Sequence, residues 1–141
     1  DDDAKKYTAE FPRFEPLQLK LAENELPKVG KSVVVEAPQR KMGKHLYEVT
    51  YQWTVSGPAE AVQRYGKSNL YTEHTPAPTD TITFSQSGRY NIVLVASYEV
   101  SGIGKGQSFT ENFPAKMGSA KYDGSALRYR VTLERTIDVD D

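Results

Sequence analysis

The stretch Tyr47-Glu48-Val49-Thr50-Tyr51-Gln52-Trp53-Thr54-Val55 decides the fold. Successive side chains of a strand point to opposite faces. Tyr47, Val49, Tyr51, Trp53 and Val55 therefore share one side, and Glu48, Thr50, Gln52 and Thr54 share the other. An apolar face centred on the only Trp of the chain, backed by a polar face, describes one strand of a two-layer sandwich. Gly57-Pro58 stops it.

Outward from this strand the same pattern recurs. Leu17, Leu19 and Leu21 alternate with Gln18 and Lys20 and give a first strand. Residues 32–36 carry the β-branched run Val33-Val34-Val35 and give a second, ending at Pro38. Residues 40–45 read as a basic loop around Gly43. Residues 59–65 favour a helical turn through Glu60, Ala61 and Gln63, and residues 70–73 an edge strand. Thr81-Ile82-Thr83-Phe84 is a further short strand. Residues 90–101 form the longest extended run. Tyr90, Ile92, Leu94, Ala96 and Tyr98 share one face, and apolar Val93 and Val95 on the other face suit a central strand. Four glycines then punctuate a connection long enough to need a hairpin or strand of its own near residues 107–113. Asp123-Gly124 signals a tight turn. Leu127, Tyr129, Val131 and Leu133 alternate with polar residues in the last strand, which continues through Ile137 and Val139. Seven to nine strands separated by Gly, Pro, Asn and Asp predict an all-β fold, an immunoglobulin-like antiparallel sandwich. The domain spans 17–141, with insertions at about 59–80 and 101–126, and follows an acidic, mobile leader over 1–16.

Bulk properties bound the function. A chain of 141 residues buries a core without needing disulfides or metal. It contains no Cys, which excludes thiol catalysis and thiolate metal sites. A net charge of −1 argues against nucleic acid as a partner. No stretch is apolar and long enough to cross a bilayer as a helix, so membrane attachment is expected only through a lipid anchor outside this chain.

Several segments together resemble the polycystic kidney disease-type (PKD) domain, an immunoglobulin-like sandwich of extracellular proteins. Leu26-Pro27-Lys28-Val29-Gly30-Lys31-Ser32-Val33 resembles its opening. Tyr51-Gln52-Trp53-Thr54-Val55 resembles its third strand, whose Trp lies in the core. Residues 81–96, with Gly88-Arg89-Tyr90 at their centre, resemble its later hairpin. The resemblance covers roughly residues 26–100. It implies core roles for Trp53, Tyr90, Tyr51 and Leu94, and a hydroxyl of Tyr90 bonded back to the main chain at a corner. This chain departs from the family after the Trp, where Ser56-Gly57-Pro58 replaces an acidic, Gly-rich turn. Asp1-Asp2-Asp3 resembles the acidic run behind the lipidated Cys of surface lipoproteins in Bacteroides-type bacteria. That resemblance implies an exported protein of the bacterial surface or periplasm.

Candidate chemistry is sparse. His45 and His74 have no partner in sequence that makes a base or a metal site. Residues 101–106 have the glycine spacing of a phosphate loop but lack the following helix whose amides such a loop needs. Glu134, Asp138, Asp140 and Asp141 with Asp1 to Asp3 read either as a calcium site or as a solvated acidic end. Nine Tyr and five Phe exceed what one core needs. Tyr65, Tyr71, Phe109, Phe113 and Tyr122 fall in the insertions, where they either stack on sugar faces or fold down to cap the sandwich. The expected function is a non-catalytic binding or spacer module without cofactor or metal. Its ligand is a protein or a polysaccharide, the latter in a glycan-uptake system.

Overall fold

The computed structural model describes residues 13–41, 46–66, 78–100, 118–123 and 125–141. Among these residues ten strands follow one another: β1 (Arg13–Phe14), β2 (Gln18–Lys20), β3 (Val33–Glu36), β4 (Gln39–Lys41), β5 (Leu46–Ser56), β6 (Val62–Gly66), β7 (Thr79–Thr83), β8 (Gly88–Val100), β9 (Gly118–Asp123) and β10 (Arg128–Val139). One four-stranded sheet has the order β5-β8-β10-β9 and the other the order β2-β3-β7-β6, while β1 and β4 pair as a ribbon. Every strand pairing is antiparallel. β2-β3-β7-β6 has the strand order of the A-B-E-D layer of a constant-type immunoglobulin sandwich, and β5-β8-β10 that of its C-F-G layer. Here β9 is added on the outer side of β10.

Alternation explains the core. Val33 and Val35 of β3 face Ile82 of β7 and Leu17 within it, and they meet Trp53, Tyr90, Ile92, Leu94, Tyr98, Tyr129 and Val131 of the opposite sheet. β8 is central, paired along its length with β10 and β5, which is why it tolerates Val93 and Val95 on its outer face. Tyr51 is only half-buried because β5 is the edge of its sheet.

Three sequence expectations are corrected. Residues 59–65 do not form a helical turn: Val62–Gly66 is β6, paired with β7 from Val62↔Thr83 to Gly66↔Thr79. A helix that short gains little by itself, whereas the free edge of β7 offers a full ladder. The basic loop over 40–45 is in part a strand, since Gln39–Lys41 pairs with Arg13–Phe14. That pairing also draws the end of the leader into the fold. Third, the strict alternation of β5 is interrupted by a bulge. Tyr47 lies opposite Glu99 and Thr50 opposite Ser97, so Glu48 and Val49 together oppose Tyr98. The expected elements near 70–73 and 107–113 lie outside the described residues.

Candidate functional site

The turn at the bottom of the sandwich is built from three elements. β5 ends in Gly57-Pro58, β8 begins at Gly88, and residues 84–87 cross from one sheet to the other. Tyr90 is 1% exposed, and its hydroxyl donates to the Gln86 carbonyl at 2.7 Å. Its ring stands 4.6 Å from that of Phe84 at 52°, a tilted arrangement that suits the aromatic quadrupoles. Gly57 lies directly against the Tyr90 ring. Gly57, having no side chain, therefore leaves room for the tyrosine.

Of the five aromatic residues nominated as a sugar platform, Tyr65 is described in full. It lies on β6 and is 49% exposed, and its hydroxyl donates to the Trp53 carbonyl at 3.3 Å. Tyr122 sits in β9 with its backbone opposite Tyr129. Tyr71, Phe109 and Phe113 lie outside the described residues, as do His45, His74 and residues 101–106. Val62, 72% exposed, is the other large apolar side chain that β6 offers to solvent.

The acidic end is dispersed. Asp138 pairs with Arg89 at 3.0 Å, and the main chain of Asp140 exchanges hydrogen bonds with Pro27 and Val29. Among the described residues no group of three acidic or His side chains is placed to hold a metal.

Two features escaped the sequence reading, and both are charged residues in the phase of the core. Arg135 falls on the inward-facing register of β10, between Leu133 and Ile137. Its guanidinium donates to the Leu17 carbonyl at 2.7 Å, bridging the two sheets. It lines an open trough of about 470 Å³ with Pro16, Leu17, Asn91, Glu134 and Thr136. Asp80 falls in the same phase as Ile82 on β7 and is 0% exposed. It lies opposite Tyr65 on one side and Val35 on the other. Neither carboxylate oxygen has a hydrogen-bond partner of good geometry among the described residues. Burial raises its carboxyl to about 6, and the nearby Arg64 backbone amide offsets a part of that rise. The Nε1 of Trp53 and Oε1 of Gln63 are likewise buried and unpartnered among the described residues. A signal for both was present: a charge interrupting an otherwise apolar period of two.

Fold and surface together define an immunoglobulin-like β-sandwich with a tyrosine-closed corner. In comparisons with known proteins, no family model, no curated protein and no solved structure matches the chain.

Proposed function

We propose that the chain is a non-catalytic, PKD-like module of an exported bacterial surface protein, acting as a spacer that also presents a binding face. The observation that carries this reading is where the chain enters and leaves the sandwich. β10 ends opposite Gly88, at the Tyr90 corner. β1 pairs with β4, which follows β3 at the other end, where Glu36 meets Gln18 and Thr79. First and last strands thus lie at opposite ends, the arrangement that suits modules joined in line. Charged side chains of the outer β8-β10-β9 face are engaged with their neighbours: Arg130 with Asp123, Arg89 with Asp138, and Arg128 with Ser97. Such pairing suits a passive surface more than a reactive one. Attachment to the membrane would come from a lipid anchor outside this chain.

The test is surface labelling of the source bacterium with an antibody against the module. Labelling of intact cells supports the proposal, and signal that appears only after lysis contradicts it.

A second reading, polysaccharide binding, is favoured by the half-exposed ring of Tyr65. On a glycan array this reading expects binding by the unmodified chain that Tyr65→Ala abolishes. Binding that survives Tyr65→Ala removes the ring from the account.

A further inference from the structure

We propose that Asp80 is a proton-operated latch: carried neutral it lets β6 close over Trp53, and its ionisation loosens that edge of the sandwich. The geometry is the starting point. Asp80 has no exposure to water, neither of its oxygens has a hydrogen-bond partner of good geometry among the described residues, and the nearby Arg64 amide offsets only part of the effect of burial. A buried carboxylate in that position is costly unless it is neutralised or the structure opens to water.

Among the described residues, the surroundings supply no counter-charge. On β3 the inward neighbours are Val33 and Val35, and Glu36 is outward and pairs with Lys20. On β6 the inward neighbours are Gln63 and Tyr65, which oppose Ile82 and Asp80. The core that the other sheet contributes holds Trp53 of β5, Leu94 and Tyr98 of β8, and Tyr129 of β10, with Tyr51 packed against it. The titratable groups among these neighbours are tyrosines. Arg135 of β10 is exposed and donates to the Leu17 carbonyl.

The route by which water reaches Asp80 is also defined. β6 is an edge strand of five residues among those described, and one tie to the opposite sheet is the Tyr65 hydroxyl on the Trp53 carbonyl, at 3.3 Å. Edge strands with few contacts are the first to open. Opening β6 would hydrate Asp80 and expose Trp53 in the same movement.

The direction with pH follows from linkage. The carboxyl is held at about 6 in the fold, against 3.8 for an ordinary Asp. The folded state therefore keeps the proton longer than the unfolded chain does. The stabilisation is complete below pH 3.8 and is lost as pH climbs through about 6.

The experiment follows acrylamide quenching of the single Trp, and the melting temperature, from pH 4.5 to 7.5 in the unmodified chain and in Asp80→Asn. The proposal expects quenching to rise with a midpoint near pH 6, and the melting temperature to fall from pH 4.5 and level off above about pH 6. Both changes should disappear in Asp80→Asn, which also melts higher than the unmodified chain at pH 7.5. Parallel pH profiles for the two proteins overturn it. Should Asp80→Asn fail to fold, the carboxyl ¹³C titration of Asp80 in the unmodified chain decides. A midpoint near 6 upholds the latch, and one near 4 overturns it.

Discussion

The hydroxyl of Tyr90 donates to the main-chain carbonyl of Gln86, four residues upstream, at 2.7 Å. This bond ties the first turn of β8 to the segment that arrives from β7, and so joins the two sheets at their shared corner. The ring contributes burial and the hydroxyl contributes direction. Tyr90→Phe keeps the first and removes the second. It is expected to cost about 1 kcal/mol in urea denaturation, with the far-ultraviolet circular dichroism unchanged. Tyr90→Ala empties the corner as well and is expected to cost about 3–5 kcal/mol. Equal losses for the two variants would mean that the hydroxyl, and not the ring, holds the corner.

Gly57 makes that corner possible. A Cβ added there would overlap Cδ1 of Tyr90 and crowd the rest of the ring. Gly88, at φ +138 with Pro58 against it, fixes the other wall, so the ring has little space to retreat. Gly57→Ala is expected to cost about 1–3 kcal/mol through overpacking. The cost should shrink towards zero in a Tyr90→Ala background, because the group it collides with is gone. A double-mutant cycle measures this coupling, and strictly additive losses contradict the contact.

The hairpin between β9 and β10 is held by a single side chain. Asp123 Oδ1 accepts from the amides of Ser125 and Ala126 at 3.0 and 3.2 Å, and Oδ2 accepts from Arg130 at 3.1 Å. The Arg130 hydrogen bond, then the Ala126 amide, hold the Asp123 carboxyl below the usual 3.8. Its contribution is therefore present above that value and lost as pH falls through the lower, folded one. The amide chemical shifts of Ser125 and Ala126 should stay constant from neutral pH down to about 4 and move together only under it. A transition above that point contradicts the assignment.

Much of this fold was legible because three of its strands are long and alternate without ambiguity. In β5, β8 and β10 a period of two runs through Val49 to Val55, Tyr90 to Tyr98 and Tyr129 to Leu133, and Gly or Pro marks several of the strand ends. β6 was not legible. Its five residues carry local preferences for either state, and the ladder with β7 that decides between them is set by distant pairing. The β1–β4 ribbon was hidden for the same reason, since two- and three-residue strands have no period to read. Asp80 and Arg135 were visible as charges in apolar register, but only the packed sheets distinguish their fates. Arg135 reaches a carbonyl at the rim, and Asp80 is enclosed.

The central claim is that the Trp53 indole is shut between two β-layers, 3% exposed. As the chain has one Trp, its fluorescence reports on that position alone. At pH 5, where Asp80 is neutral, the account predicts short-wavelength emission and acrylamide quenching several-fold weaker than in urea. Native emission and quenching indistinguishable from those of the unfolded chain would contradict it.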